Sequence, residues 1–149
     1  EASWAAFAEA VTGLGAPDML VNNAGVNPGP RRFEELSLAD WRAVTSVNLD
    51  GVFLGCRWAL RAMAGCGGAI VNIGSAAGRK PAPDMAAYSA SKAGVEMLTR
   101  AVALYSGREK LGVRCNAVLP GSIETPMVSR LREATGDPAA ARARVAALH

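Results

Sequence analysis

Three short apolar runs, each bounded by glycine, proline or asparagine, constrain the fold of this chain more than any other feature. They lie in DMLVNNAG (18–25), GGAIVNIGS (67–75) and GVRCNAVLPGS (112–122). The first run is too short for a helix and does not alternate, which is typical of a parallel strand buried on both faces. Segments with helical patterns precede, separate and follow the runs. This alternation predicts an α/β fold with a right-handed parallel βαβ sheet.

The helical segments are recognised by periodicity and capping. Apolar residues at spacings of three and four predict a helix over residues 1–15. Ser37, with Asp40 three residues later, predicts the N-cap of a second helix over 38–64. A third helix is predicted over 87–106. All three predicted strands end in polar or turn residues. In parallel sheets of this kind, binding and catalytic residues lie at the carboxyl ends of the strands.

Two reactive side chains lie in the third predicted helix, in the segment AAYSASKAGVEML. Tyr88 and Lys92 are four positions apart and so share one helix face. A free tyrosine, with a pKa of about 10, is a poor base at neutral pH. A nearby ammonium favours the phenolate, which makes tyrosine a plausible general acid–base. The alternative interpretation is a solvated tyrosine and lysine at the start of a helix.

Ser75 ends the second predicted strand, 13 residues before Tyr88. A serine there can donate a hydrogen bond to a substrate oxygen. The alternative is a serine that only serves the turn at 76–78. The segment NIGSAAG lacks both glycines of the G-x-S-x-G nucleophile elbow. The only histidine is His149, so a Ser-His-Asp hydrolase is not predicted.

Composition and charge exclude several other classes. The chain is 50% hydrophobic and 19% charged, which does not fit disorder. The net charge is +3, and arginines are not interleaved with aromatics, so nucleic-acid binding is not predicted. There is no apolar run long enough for a membrane span and no signal-like start. Cys56, Cys66 and Cys115 show no CxxC spacing, so we expect no metal site and assign the thiols to the reducing cytoplasm.

Together these segments resemble the classical short-chain dehydrogenases/reductases. The resemblance covers residues 1 to about 145, and its motifs come in the order and spacing of that family. They are VNNAG, SVNLDGVFLG, IVNIGS, YSASK and VRCNAVLPGSIETPM. The resemblance implies a Rossmann-type doubly wound parallel sheet, incomplete in this chain. It also implies reversible conversion of a secondary alcohol to a ketone with NAD or NADP.

The resemblance implies four catalytic residues. Tyr88 would be the acid/base, and Lys92 would favour its phenolate and hold the nicotinamide ribose. Ser75 would position and polarise the substrate carbonyl or hydroxyl. Asn48 would hold a water that links Lys92 to solvent. The alternative for Asn48 is a capping or kink residue inside a long helix.

The family pattern also implies cofactor-binding residues besides Tyr88 and Lys92. They are Asn23, Ala24 and Gly25 after the first strand, and Pro120, Gly121, Ile123 and Thr125 after the third. The first group can instead serve the sheet alone, and the second can be an ordinary strand-ending turn. No metal ligand is implied.

One part of the family pattern is not found. The glycine-rich dinucleotide fingerprint should follow a strand, whereas Gly13-Leu14-Gly15 follows a helix. The chain also begins at Glu1 inside a helical pattern. We therefore expect residues 1–149 to be the catalytic half of a Rossmann domain, inactive alone, with 126–149 as a substrate-loop or lid segment.

The segments NLDGVFLGCRWALRAM and PGSIETPM look most like the branch that acts on hydroxysteroids and other secondary or cyclic alcohols, which commonly uses NAD. An alternative is a 3-oxoacyl-carrier-protein reductase, whose acidic carrier would meet basic residues near the entrance. These would be Arg79, Lys80, Arg130 and Arg132. A third hypothesis is a non-catalytic binding or scaffold protein that retains the fold.

The family pattern implies a homodimer or homotetramer built from the helices at 38–64 and 87–106. Both predicted helices are apolar over much of their circumference. The residues expected to divide between core and interface are Val52, Phe53, Trp58, Met97 and Leu98.

Overall fold

The fold is given by a computed structural model, which describes residues 2–133, 136–137, 139–140 and 143. Its α-helices are α1 (Ala2–Val11), α2 (Leu38–Thr45), α3 (Gly51–Ala62), α4 (Ala86–Arg108) and α5 (Pro126–Glu133). A 3-10 turn, Thr12–Leu14, follows α1. The predicted helices therefore exist, with ends that differ by a few residues from those expected.

Three parallel strands form one sheet in the order β1–β2–β3. They are β1 (Met19–Asn22), β2 (Gly68–Ile73) and β3 (Val113–Val118). Asn22 of β1 lies opposite Asn72 of β2. The predicted fold class is confirmed: the chain forms part of an α/β fold with a Rossmann-type parallel sheet.

The helix predicted for residues 38–64 is continuous but not uniform. Ser37 caps it, because its Oγ atom accepts a hydrogen bond from the Asp40 N–H at 3.0 Å. Between α2 and α3, the residues Ser46–Asp50 form a π-helical turn. Such turns are frequent at functional sites, and this one contains Asn48.

The hydrophobic core lies between the sheet and the helices α3 and α4. Its buried members are Val52, Cys56, Ala59, Met63, Ile70, Val95, Val102, Val113 and Cys115. Leu20 of β1 packs against this core. Met19 and Val21, on the other face of the strand, are 61% and 50% exposed. The expectation that β1 is buried on both faces is therefore wrong, because no described helix packs over Met19 and Val21.

The predicted lid segment, 126–149, is described only in part. Its first turns form α5, and most residues after Glu133 lie outside the described part of the chain. Among the residues that are described, no helix has the length and apolar character needed to cross a membrane.

Candidate active site

Tyr88 and Lys92 lie one turn apart near the amino end of α4. Tyr88 is half-buried, whereas Lys92 is only 4% exposed. The Lys92 Nζ atom lies 5.9 Å from the centre of the Tyr88 ring and donates a hydrogen bond to the Ile73 carbonyl oxygen at 2.7 Å. No other described residue takes a hydrogen bond from Nζ, so two of its N–H groups remain available. The structure thus places a phenol beside a buried ammonium.

Burial lowers the pKa of Lys92, because the ammonium is poorly solvated where it lies. The unfolded chain keeps this proton up to about pH 10.4. Between the lowered folded value and the unfolded value, the unfolded state binds the proton more tightly. The contribution of this group to stability is therefore lowest below the folded pKa and rises as pH increases through that window.

We expect the Lys92→Met variant of the full-length protein to lose this rise in stability between pH 7 and pH 10. Each unit by which the folded pKa is lowered corresponds to about 1.4 kcal/mol. The free energy of unfolding, measured in urea at the two pH values, tests this. Lys80→Met, which removes an exposed lysine, is the matched control and should behave like the parent. The same pH dependence in Lys92→Met and the parent would contradict the assignment.

Ser75 lies two residues after the end of β2, in extended backbone with φ −165° and ψ 151°. Its Oγ atom accepts a hydrogen bond from the Ala77 N–H at 3.1 Å and so caps the 3-10 turn Ala76–Gly78. Among the described residues its O–H group has no acceptor. The two interpretations of Ser75 are therefore compatible, since the turn uses an oxygen lone pair and a substrate would use the proton.

Asn48 is fully buried in the π-helical turn. Its Oδ1 atom accepts from the Val26 N–H at 2.8 Å, and its Nδ2 atom donates to the Val26 carbonyl oxygen at 3.0 Å. Nδ2 also donates to the Ser91 Oγ atom at 3.1 Å, and Ser91 donates to the Tyr88 carbonyl oxygen at 2.7 Å. Asn48 therefore connects the loop after β1 to the helical turn that carries Tyr88.

The loop after β1 passes beside these groups. Asn23 and Ala24 are exposed at the strand end, and Gly25 is half-buried. A Cβ atom added to Gly25 would lie 3.4 Å from the Lys92 Nζ atom and 3.5 Å from the Asn48 Oδ1 atom. Both polar groups therefore face the same small space next to the Gly25 main chain.

The loop after β3 contacts the Ser75 turn through Pro120. The Pro120 carbonyl oxygen accepts a hydrogen bond from the Ala76 N–H at 2.9 Å, which ties the loop to the Ser75 turn. Gly121 and Ile123 are exposed. The Thr125 Oγ1 atom accepts from the main-chain N–H three residues later, at 3.3 Å, and so caps α5.

A cavity of about 330 Å³ separates the loop after β1 from α5. Gly25 and Asn27 line one wall, and Met127 and Arg130 line the other. A second, narrow cavity of about 20 Å³ is also lined by Asn27 and reaches Tyr88. The first turns of the predicted lid segment therefore form a wall of the cleft next to the site.

A buried polar network that sequence reasoning missed joins the sheet to α4. The Asn22 Nδ2 atom donates to the Asn72 Oδ1 atom at 2.8 Å, and the Asn72 Nδ2 atom donates to the Thr99 Oγ1 atom at 2.9 Å. All three side chains are buried. The available signal was Asn72 itself, a polar residue inside the apolar run AIVNI, because a buried amide must find partners. Ser91 gave no comparable signal.

The cysteines divide as core and surface thiols, as expected. All three are free, with Cys56 and Cys115 buried and Cys66 exposed between α3 and β2. The hydrogen bond to Cys56, together with burial, raises the pKa of the Cys115 thiol, whereas the hydrogen bond from Cys115 lowers the pKa of Cys56. Both core thiols also contact the Asn72 side chain, whose Nδ2 atom lies 3.5 Å from Cys56 Sγ and 3.6 Å from Cys115 Sγ.

Comparison with known proteins agrees with this arrangement. The family described as short chain dehydrogenase matches residues 1–136. A 3beta-hydroxysteroid dehydrogenase of Mediterraneibacter gnavus is 42% identical, over 85% of this chain and 45% of its own. A trans-4-hydroxycyclohexanecarboxylate dehydrogenase of Sinomonas cyclohexanicum is 41% identical, over 90% of this chain and 51% of its own. An NADP-dependent (R)-specific alcohol dehydrogenase of Lentilactobacillus kefiri is 37% identical, over 90% of this chain and 54% of its own.

The parallel sheet, the helix that carries Tyr88 and Lys92, and these matches define the class. The chain belongs to the short-chain dehydrogenase family. It spans about half the length of the curated relatives it matches.

Proposed function

We propose that the full-length protein is a nicotinamide-dependent oxidoreductase that interconverts a secondary alcohol and a ketone. The observation that carries this proposal is the half-buried Tyr88 phenol beside the buried Lys92 ammonium, with the Ser75 turn next to them. A phenol, a cation and a free serine hydroxyl are the groups needed to move one proton at a substrate oxygen.

In the oxidation direction, the hydroxyl proton of the alcohol passes to the Tyr88 phenolate oxygen, while the Ser75 O–H donates to the same substrate oxygen. The charge of Lys92 favours the phenolate. In the reduction direction, the Tyr88 phenol returns the proton to the carbonyl oxygen. The nicotinamide, when bound, accepts or supplies the hydride.

We assign Asn48 to a proton relay from Lys92 toward solvent, with a water between them. Supporting this, the Asn48 Oδ1 atom and the Lys92 Nζ atom face the same space beside Gly25. A water there would accept from an ammonium N–H and donate to an amide oxygen, which is an ordinary bridging geometry. The contacts of Asn48 with Val26 give it a second role, which is to fix the loop after β1.

The residues also fit a nicotinamide ribose. When the relay water takes one of the two Lys92 N–H groups without a described partner, the other remains for a sugar hydroxyl, and Gly25 carries no side chain that would fill the approach to it. We propose that Asn23, Ala24 and Gly25 line one side of NAD or NADP. We propose Pro120, Gly121, Ile123 and Thr125 for the nicotinamide end.

We propose a ring-borne secondary alcohol, such as a hydroxysteroid or a substituted cyclohexanol, as the substrate class. The names of two relatives support this, since both describe an alcohol on a ring. The residues from 126 onward would cover this substrate, because α5 already lines the cleft. Of the four basic residues that the carrier-protein alternative would use, Arg79 pairs with Glu96 and Arg132 pairs with Glu124 within this chain.

The test is an absorbance assay of the full-length protein with NAD and with NADP, against cyclohexanol, a 3β-hydroxysteroid and a primary alcohol of similar size. We expect reduced cofactor to form with the secondary alcohols and not with the primary one. Binding of cofactor without turnover of any secondary alcohol or ketone would instead favour the scaffold hypothesis.

We propose that the full-length protein is a homodimer or homotetramer built from α3 and α4. Of the residues considered for this role, Val52 is a core residue, and Trp58 and Leu98 pack partly against the core. Phe53 and Met97 are 46% and 62% exposed. Phe53 on α3 and Met97 on α4 are therefore the side chains that such an interface would cover.

The double variant Phe53→Glu/Met97→Glu should shift the full-length protein toward monomer, because carboxylates would be desolvated in an apolar interface. Light scattering at micromolar concentration gives the mass. Leu14→Glu is the matched control, since Leu14 is 82% exposed but lies outside α3 and α4. A parental mass in the double variant would place the interface elsewhere.

We also propose a cytoplasmic location. The support is that all three cysteines are free thiols, the state that reducing compartments maintain.

A further inference from the structure

The turn that carries Ser75 is held as one unit by its own hydrogen bonds. The Gly78 N–H donates to the Ser75 carbonyl oxygen at 3.0 Å, and the Arg79 N–H donates to the Ala76 carbonyl oxygen at 3.0 Å. The Ala77 N–H donates to the Ser75 side chain. A displacement of Arg79 therefore moves the Ser75 hydroxyl with it.

This turn packs directly on the main chain of α4. A Cβ atom added to Gly78 would lie 2.8 Å from the Ala93 nitrogen and 2.9 Å from the Lys92 carbonyl carbon. Real Cβ atoms do not approach backbone atoms so closely. Contact of main chain with main chain therefore sets the closest approach of the turn to α4, and any side chain at position 78 would increase that distance.

A second contact is made by a pair of charged side chains. The Arg79 Nε atom donates to the Glu96 Oε2 atom at 2.8 Å, and an Arg79 terminal nitrogen donates to the Glu96 Oε1 atom at 2.6 Å. Two parallel bonds of this kind fix direction as well as distance. Glu96 follows Tyr88 and Lys92 at successive spacings of four, so it lies on the same face of α4.

We propose that Arg79 and Glu96 are positioning residues that hold the Ser75 hydroxyl at its working distance from Tyr88. The inference rests on the proposed function, since it needs Ser75 to act on a substrate oxygen. The Arg79 side chain is 60% exposed and so is readily solvated when the pair is broken, whereas the Glu96 side chain is 14% exposed and keeps Arg100 as a second partner. Loss of the pair should therefore appear in turnover and not in unfolding.

We expect Arg79→Ala and Glu96→Gln in the full-length protein each to lower kcat by about tenfold or more, because small displacements of catalytic groups cost rate steeply. The cofactor KM and the thermal midpoint should stay at parental values. Arg79→Lys should recover only part of kcat, since an ammonium cannot make the two-pronged contact. Gly78→Ala should lower kcat in the same way, by moving the turn off α4.

Arg100→Ala is the matched control. Arg100 also pairs with Glu96, but it lies on α4 itself, so this bond stays within one helix. Its removal leaves both Arg79 bonds in place, so kcat should be unchanged. The double variant Arg79→Glu/Glu96→Arg exchanges the two charges. Its kcat should exceed that of Arg79→Glu alone and that of Glu96→Arg alone.

The decisive measurement is Arg79→Ala in a Ser75→Ala background. If Arg79 acts through Ser75, it should cause no further loss there. A further loss, or parental kcat in Arg79→Ala alone, would overturn the proposed positioning role of Arg79 and Glu96. The proposed catalytic role of Ser75 would be unaffected. Parental turnover in Ser75→Ala would overturn this positioning role together with the proposed function.

Discussion

Turnover by the full-length protein should fall by about a hundredfold to ten-thousandfold when Tyr88 is replaced by phenylalanine, because the proton at the substrate oxygen would have no acceptor or donor. The phenyl ring fills the same space, and the Tyr88 hydroxyl has no described hydrogen-bond partner to lose. The fold should therefore be kept, as circular dichroism and the thermal midpoint would show.

The second tyrosine of the chain provides the control for this change. Tyr105 also lies on α4, and it is 47% exposed with the Arg108 guanidinium over its ring. Tyr105→Phe removes the same hydroxyl from the same helix at a distance from the site. Its kcat should equal that of the parent. Retention of most of kcat in Tyr88→Phe would remove Tyr88 from the mechanism.

Lys92→Arg should lower kcat/KM by about a hundredfold, although it keeps the positive charge. A guanidinium is larger and planar, and it cannot replace a compact ammonium in a space bounded by the Ile73 carbonyl oxygen and Gly25. Both the activation of Tyr88 and the contact with the cofactor ribose should suffer.

Two measurements separate these effects for Lys92. The cofactor dissociation constant reports the ribose contact, and the pH dependence of kcat/KM reports the activation of the phenol. Lys80→Arg, on the exposed loop before α4, is the control and should match the parent in both. If Lys92→Arg also matches the parent in both, then Lys92 has no part in the chemistry.

The strands and the principal helices could be predicted from sequence, because their signals are local. The run AIVNI gives β2, and the Ser37 side chain caps α2 where the pattern placed the cap. The burial of β1 could not be predicted in the same way. Whether Met19 and Val21 are covered depends on helices elsewhere in the chain, and the described residues provide none over that face.

The π-helical turn is a second feature whose contacts could not be predicted from the sequence. The hydrogen bonds of Asn48 go to Val26, which is 22 residues away, and to Ser91, which is 43 residues away. No pattern within residues 38–64 predicts partners that are so far away along the sequence. The family motif made Asn48 a candidate site residue, but its contacts with the loop after β1 could be seen only in the folded chain.

Arg79 illustrates the same limit at the surface. In the sequence it is one of two neighbouring basic residues in a loop, without a visible partner. Its carboxylate partner, Glu96, lies 17 residues later on α4, and the pairing exists only because Gly78 lets the loop contact that helix. The sequence therefore held no signal that could separate Arg79 and Glu96, the proposed positioning residues, from solvated charges.

The distribution of the three thiols has a practical consequence. Cys66 is the exposed one, and it precedes β2, whereas Ser75 follows that strand, so the two lie at opposite ends of it. Maleimide dyes or spin labels should attach at this exposed thiol, leaving the two buried thiols in the core unmodified. A label there would report on the far end of the sheet without entering the cleft. Unprotected, the same thiol is where two molecules would become linked on storage in air.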